Sequence, residues 1–252
     1  QGVDDTAQPM GFYPVVDPTF NYKFCKGYYY RADEEKLNGR VSRLLVTPLL
    51  IALKKFFGYD EYIEYLDSFR YPLAGEFSMR ADVVKNIRIP SDWGLEIGVL
   101  SEAQRINPVG RICQVDIADA YDHKHQPVSR ENPQKGLSKM SRDIARAIYA
   151  KMASTGTVFS KGTFRSLMTT YQRIALDFVE MYRSDAILNG YKIDRHREET
   201  TVDLFAQNIY AAGESFLANP AQNQFIPSWK RVKSALPDFA DRLKQAVELD
   251  NA

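Results

Sequence analysis

The chain has 252 residues, of which 44% are hydrophobic, 26% charged and 12% aromatic, and its formal net charge is +1. This is a globular composition, which excludes collagen, coiled coils and wholly disordered chains, and the balanced charge argues against general nucleic-acid binding. No apolar run approaches the roughly 20 residues that cross a bilayer, and residues 1–12 lack a signal-peptide pattern. Cys25 and Cys113 lie among apolar residues, which predicts reduced thiols in a cytoplasmic protein.

The first half of the chain alternates between short elements. Residues 22–31 are aromatic and predict a strand, and apolar residues at helical spacing predict a helix over residues 40–58. Pro48 is expected to kink this helix or to mark a break near Thr47. Shorter helices are expected at residues 60–69 and 79–86, and another at 92–105 with Ser91 as its cap. Residues 111–118 alternate between apolar and polar, which predicts a half-buried strand.

After about residue 128 long amphipathic patterns replace the short elements. Three helices are expected around residues 137–152, 167–182 and 202–216, and two shorter ones begin at Ser228 and Asp238. The apolar side chains of the last two, Trp229 and Val247 among them, are expected to face inward. No strand pattern occurs here, so the sequence predicts an all-helical second half.

Familiar catalytic motifs are absent from the sequence: it has no glycine-rich phosphate loop, no His-Glu-x-x-His and no Gly-x-Ser-x-Gly. His196 lies in a run of charged residues that favours a solvated helix start. His123 and His125 follow a predicted strand and lie near three aspartates, and this mixture of nitrogen and oxygen ligands suits Mn²⁺ or Mg²⁺. An exposed polar loop explains the same residues equally well, and no Asp-x-Asp pair occurs to complete a diphosphate site.

Two further groups are candidates for binding. Gly39, Arg40 and Ser42 open a helix, where free N–H groups, a guanidinium and a hydroxyl together suit a phosphate or carboxylate; an exposed arginine on a capped helix is the alternative. Glu96 follows Trp93 by three positions, so on a helix the two share a face. Aromatic rings beside carboxylates are typical of sugar sites, and structural pairing of buried glutamates is the alternative for Glu96 and for Glu76.

Six segments in register resemble one family, the glucosyl-3-phosphoglycerate and mannosyl-3-phosphoglycerate synthases, which are retaining glycosyltransferases of the GT-A fold. The segments are residues 24–31 (FCKGYYYR), 39–50 (GRVSRLLVTPLL), 72–77 (PLAGEF), 92–100 (DWGLEIGVL), 114–117 (QVDI) and 123–127 (HKHQP). The resemblance implies an α/β fold, the C-terminal part of a GT-A fold followed by an all-helical extension. It divides the chain into an acceptor- and metal-binding part, residues 1–135, and a helical extension, residues 136–252.

The resemblance also implies a function: transfer of glucose, with retention, from a UDP- or GDP-sugar to 3-phosphoglycerate, which would feed glucosylglycerate synthesis. Mannosyl or another hexosyl transfer, and a degenerate non-catalytic domain serving as an interaction module, are the alternatives. A divalent metal, Mg²⁺ or Mn²⁺, and a homodimer are expected, with no nucleic-acid or membrane partner. Because the family's N-terminal half and its Asp-x-Asp motif have no counterpart here, we expect the chain to be incomplete.

Carried over position by position, the resemblance assigns roles to individual residues. Those expected to bind the acceptor are Gly39, Arg40, Ser42 and His125. Those expected to contact the donor are Trp93, where the family has tyrosine, Glu96, and Lys124 in place of a family arginine near Tyr121. His123 is expected to ligate the metal, and Leu73 to place its backbone carbonyl near the anomeric carbon. No covalent nucleophile is expected, because front-face attack is the favoured mechanism in such enzymes.

Overall fold

The computed structural model describes residues 15, 17, 19–33, 36–118, 136–220 and 225–251. Its strands are β1 (Phe24–Tyr29), β2 (Ala32–Asp33), β3 (Lys36–Leu37), β4 (Phe77–Met79), β5 (Ile89–Pro90), β6 (Ile112–Ala118) and β7 (Phe225–Ile226). A π-helical turn (Val41–Val46) precedes the first of the α-helices, α1 (Thr47–Phe57), α2 (Glu61–Asp67), α3 (Ala81–Asn86), α4 (Leu95–Ile106), α5 (Gly136–Ser154), α6 (Lys161–Leu188), α7 (Arg195–Ala218), α8 (Trp229–Ala235) and α9 (Phe239–Asp250). A 3₁₀ turn (Val109–Arg111) leads into β6.

The central sheet has β1 in the middle, paired antiparallel with β4 and parallel with β6. Both strands predicted from the sequence in residues 22–31 and 111–118 are therefore confirmed. Cys25 lies directly opposite Cys113 in the parallel pair, and the two do not form a disulfide. Cys25 is buried and Cys113 partly so, which agrees with the expectation of reduced cysteines among apolar residues.

One hydrophobic core joins the sheet to the long helices. Buried apolar side chains run without a break from β1 and α1 through α4 into α5, α6 and α7. The observed architecture, a small α/β unit continued by a helical extension, agrees with the predicted fold class. The expected boundary at residue 135 falls outside the described residues. Within the described part of the chain, no helix combines the length and apolar character needed to cross a membrane.

The helix that opens at Arg40 changes geometry at Pro48. Residues Val41–Val46 form the π-helical turn, and α1 begins at Thr47 with Pro48 in its first turn. The break predicted near Thr47 is therefore confirmed. In a continuous α-helix the carbonyl of Leu44 would accept the N–H of residue 48, which proline lacks. The hydroxyl of Tyr171, a fully buried residue of α6, donates to the Leu44 carbonyl instead. A side chain of the helical extension thus donates to a carbonyl that cannot receive the N–H of residue 48.

A buried ion pair ties the same turn to α7. The guanidinium of Arg43 donates to both carboxylate oxygens of Glu198, at 3.0 and 2.9 Å, and the two side chains are 8% and 7% exposed. The Arg43 Nε also donates to the Asn38 carbonyl at 2.9 Å, and its guanidinium lies 4.7 Å from the ring centre of Tyr182 on α6. One side chain therefore fixes the loop before the turn, the turn itself and two helices of the extension.

Some sequence predictions about element starts are wrong. Met79 belongs to β4, so α3 begins at Ala81. Ser91 does not cap α4, which begins at Leu95, because the Asp92 side chain instead accepts the Gly94 N–H at 2.8 Å and closes a turn before the helix.

The second half departs from prediction at its end. Residues 225–226 form β7, which pairs with β5, so this half is not purely helical. The apolar side chains of α8 and α9 are not buried as expected: Trp229 is 42% exposed and Val247 51%. Helix α8 packs against α3 and the ring of Trp229 lies against Phe239, so the described elements cover the apolar faces of α8 and α9 only in part.

We expect Tyr171→Phe to lower the free energy of unfolding by about 1–3 kcal/mol, because it leaves the buried Leu44 carbonyl without the donor hydroxyl. Urea denaturation followed by circular dichroism measures this loss. Tyr210→Phe is the matched control, since its hydroxyl bonds Glu214 at an exposed position. Equal stability of the two variants would contradict the assignment.

We expect Glu198→Gln to cost about 3 kcal/mol or more, because Arg43 then stays buried beside a neutral partner. The neighbouring Glu199→Gln, which removes an exposed ion pair with Arg195, should change stability little. Denaturation curves of the two variants give the comparison. A small effect at Glu198 would show that the ion pair does not hold the turn against α7.

Candidate functional site

A cavity of about 250 Å³ opens beside the π-helical turn. It lies where the end of β1, the loop after β3 and the start of the turn meet α6 and the loop that follows α6. Its lining mixes cationic, aromatic and small residues, among them Arg31, Gly39, Ser42, Arg43, Arg70, Tyr71, Tyr182, Asp185 and Tyr191. The cavity is thus shared between the α/β unit and the helical extension.

Three residues carry buried polar atoms without hydrogen-bond partners in the described part of the chain; two of them line the cavity, and the third, Arg40, follows the lining residue Gly39. These atoms are Nε and Nη1 of Arg31, Nη1 of Arg40 and the hydroxyl of Ser42, none of which makes a well-formed hydrogen bond to the described part of the chain. The Ser42 hydroxyl lies near that of Tyr71 but without good hydrogen-bond geometry. Because unpaired buried donors are costly, these atoms point to an acceptor that fills the site. We call Arg31, Arg40 and Ser42 the oxyanion cluster.

Gly39 allows the oxyanion cluster to form. Its φ is +75°, a conformation that strongly favours glycine, and an added Cβ would lie 3.3 Å from the Cβ of Arg31. The missing side chain therefore lets Arg31 pack against the start of the turn. The first N–H groups of a helix have no partners within the helix, and they favour an anion.

Positive charge is concentrated around the cluster. Burial lowers the pKa of Arg40, the nearby Arg197 lowers it further, and Glu198 opposes both. Arg43 also acts on Arg40, although its own charge is offset by the ion pair with Glu198. An anion bound at Arg40 would relieve both the burial cost and the repulsion between guanidinium groups.

The residues predicted to bind an anion are brought together. Gly39 and Ser42 line the cavity, and Arg40 places a buried nitrogen beside them. Sequence reasoning missed Arg31, which the structure adds to the same group. Its position at the end of a strand, after three tyrosines, was the signal that could have identified it.

A second group of polar residues lies around Lys26 of β1. Lys26 is 1% exposed, and its ammonium donates to the carbonyl of Ala74 in the loop of residues 72–76. Burial lowers the pKa of Lys26 to about 8, and Glu96 and Glu76 oppose that shift. Burial raises the pKa of Glu96. The structure therefore places Glu96 and the loop that contains Leu73 around one buried cation.

The expected pairing of Trp93 with Glu96 on one helix face is wrong. Trp93 precedes α4, whose first residue is Leu95, so helical spacing does not apply to the pair. Trp93 is 40% exposed, whereas Glu96 is partly buried.

The predicted metal and donor loop lies outside the described residues. His123, Lys124 and His125 all fall there, so their roles stay predictions. Within the residues that are described, no group of three or more histidine, cysteine, aspartate or glutamate side chains is suited to hold a metal ion.

Two curated proteins are similar to the chain over nearly all of its length, and no known protein-family profile matches it. The glucosyl-3-phosphoglycerate synthase of Persephonella marina is 41% identical over 240 residues, which cover 95% of this chain and 59% of that protein. The glucosyl-3-phosphoglycerate synthase of Methanococcoides burtonii is 40% identical over 241 residues, which cover 94% and 59%. The chain spans 59% of the length of these relatives.

Solved structures of the same kind of enzyme are also similar. Mannosyl-3-phosphoglycerate synthase from Rubrobacter xylanophilus has 26% identity and a TM-score of 0.45, covering 59% of this chain and 43% of that one. Glucosyl-3-phosphoglycerate synthase from Mycobacterium tuberculosis, in complex with Mn²⁺, UDP-glucose and phosphoglyceric acid, has 22% identity and a TM-score of 0.41, covering 53% and 39%.

The sequence relatives confirm the resemblance that the motifs predicted. The small mixed sheet with its helical continuation is consistent with part of a GT-A fold. The chain is homologous, over nearly its whole length, to part of the glucosyl-3-phosphoglycerate synthases.

Proposed function

We propose that this chain supplies the acceptor-binding part of a glycosyltransferase that moves glucose from a nucleotide-diphosphate sugar to 3-phosphoglycerate with retention. The names of the two sequence relatives support this reaction. The observation that carries it is the oxyanion cluster, whose buried donors have no partners among the described residues. A cluster of this kind suits a small molecule with several negative charges better than a neutral one.

3-Phosphoglycerate offers the groups that the cluster lacks. Its carboxylate is planar and its phosphate tetrahedral, and each presents pairs of oxygens that guanidinium groups bind through two parallel hydrogen bonds. We assign these groups to the helix start at Gly39, Arg40 and Ser42, and add Arg31 as a further ligand. His125 remains our proposed contact to the rest of the acceptor.

The donor is proposed to bind at the 72–76 loop and the start of α4. Glu96 and Trp93 are assigned to the sugar, Lys124 to the diphosphate, and the Leu73 carbonyl to the region of the anomeric carbon. No side chain is assigned as a covalent nucleophile. The Mycobacterium tuberculosis enzyme was crystallised with UDP-glucose and Mn²⁺, which supports a UDP-sugar and a divalent metal here.

The metal is assigned to His123, and Mg²⁺ is the alternative ion. When bound, such an ion neutralises the charge of a diphosphate leaving group. A homodimer, a cytoplasmic location and a role in glucosylglycerate synthesis also stay part of the proposal. The first is based on the apolar faces of the C-terminal helices, the second on the reduced cysteines and the third on the family resemblance.

We expect Arg31→Ala and Arg40→Ala each to weaken 3-phosphoglycerate binding by roughly 10- to 150-fold, because each removes a charge-assisted hydrogen bond. Isothermal titration calorimetry of the chain with 3-phosphoglycerate measures this loss. Arg40→Lys should restore little of the affinity, since an ammonium cannot make the two-pronged contact.

Arg173→Ala is the matched control, because Arg173 lies on α6 in an exposed ion pair with Asp177. Its affinity for 3-phosphoglycerate should equal that of the parent chain. Failure of the unmutated chain to bind 3-phosphoglycerate would contradict the proposed function. Equal losses of 3-phosphoglycerate and UDP-glucose affinity in Arg31→Ala would contradict the assignment of the cluster to the acceptor.

A further inference from the structure

Lys26 is a buried cation that the acceptor site does not use. It lies in β1, the middle strand of the sheet, opposite Phe77 of β4 and Gln114 of β6. Its side chain is 1% exposed, and its Nζ is 5.6 Å from the ring centre of Phe77. Burying an ammonium generally costs more free energy than burying an apolar side chain of similar size. Packing alone therefore does not account for a lysine at this position.

The ammonium of Lys26 holds the middle of the 72–76 loop. It donates to the carbonyl of Ala74, a residue that is itself 0% exposed. The next residue of the strand holds the end of the loop, since the N–H of Gly27 donates to the carbonyl of Glu76 at 2.8 Å. Two successive residues of β1 therefore fix two backbone positions of the loop.

Gly27 makes this close approach possible. A Cβ at that position would lie 3.2 Å from the carbonyl oxygen of Glu76 and 2.9 Å from Cδ1 of Ile117. On the opposite side the loop is open, since a Cβ added to the exposed Gly75 would meet no described atom within 4 Å. The loop is thus anchored to the strand on one face and accessible to a ligand on the other.

Two carboxylates act electrostatically on the same ammonium. Glu76 ends the loop and Glu96 lies in the first turn of α4, and both favour the charged form of Lys26. The charge on Lys26 in turn favours the ionised form of Glu96. Lys26 therefore holds the loop backbone through a hydrogen bond and acts on Glu96 through its charge.

We propose that Lys26 is a positioning residue of the donor site, which fixes the 72–76 loop so that the Leu73 carbonyl meets the sugar. The proposal rests on the proposed function, because that function assigns Leu73 and Glu96 to the donor. It predicts that loss of the ammonium disturbs the donor half of the site and leaves the oxyanion cluster intact.

Lys26→Met tests this role, because methionine fills similar volume without a charge or a donor. We expect faster amide hydrogen exchange in the 72–76 loop and a roughly 10-fold or greater loss of UDP-glucose affinity. Affinity for 3-phosphoglycerate, measured by calorimetry on the same sample, should change less than about twofold. Lys26→Gln, which retains a neutral donor, is the second variant, and circular dichroism checks that both variants fold.

Lys23→Met is the matched control, since Lys23 precedes the same strand and pairs with Asp82 at the surface. It should leave loop exchange and both affinities unchanged. Unaltered loop exchange in the folded Lys26 variants, or equal losses of the two affinities, would overturn the proposal. If the parent chain binds 3-phosphoglycerate but not UDP-glucose, the assignment of donor residues in the proposed function is contradicted, and with it the donor role of Lys26. Amide exchange in the 72–76 loop then tests only whether Lys26 anchors that loop.

Discussion

The buried ion pair between Arg43 and Glu198 is the contact on which the geometry of the candidate site depends. It joins the turn that carries Arg40 and Ser42 to a helix that lies 155 positions further along the chain. A pair of this kind gains little net stability, because removing two charges from water offsets much of their attraction. The ion pair fixes the geometry of the turn, since both terminal nitrogens of the guanidinium group, Nη1 and Nη2, donate to the two carboxylate oxygens.

The helical extension is therefore part of the site rather than an appendage. Glu198 holds Arg43, Tyr182 lies against the guanidinium, and Tyr171 donates to a carbonyl that cannot receive the N–H of residue 48. These contacts come from two different helices and converge on one turn of six residues. A π-helical turn is rare and is often found at functional sites. Here the side chains of Glu198, Tyr182 and Tyr171 contact the turn, and Pro48, which lacks an N–H, follows it.

The parts of the site that depend on local sequence could be predicted. Gly39 before a helix start indicates an anion site, and Pro48 indicates a break, because the physical reason for each lies within a few residues. Partners distant in sequence could not be predicted: nothing near Glu198 distinguishes it from the exposed Glu199, and only the fold buries one of them. Arg31 is different, since its position at the end of a strand was a local signal that could have identified it.

Patterns also misled where local turns override periodicity. The spacing of Trp93 and Glu96 fits a helix, but the Asp92 side chain closes a turn that delays the helix to Leu95. Likewise the amphipathic pattern of α9 shows which face is apolar and not whether another element covers it. The apolar side chains of α8 and α9 were expected to face inward. That prediction failed because the spacing of apolar residues does not show which element, if any, packs against them.

A crystal structure of the chain with 3-phosphoglycerate tests the central claim most directly. We expect the ligand in the cavity beside the π-helical turn, with phosphate or carboxylate oxygens within hydrogen-bond distance of the Arg31 and Arg40 nitrogens and the Ser42 hydroxyl. Arg43 should remain paired with Glu198. A ligand bound elsewhere, or one bound in the cavity while the nitrogens of Arg31 and Arg40 stay without partners, would contradict the assignment of the acceptor site.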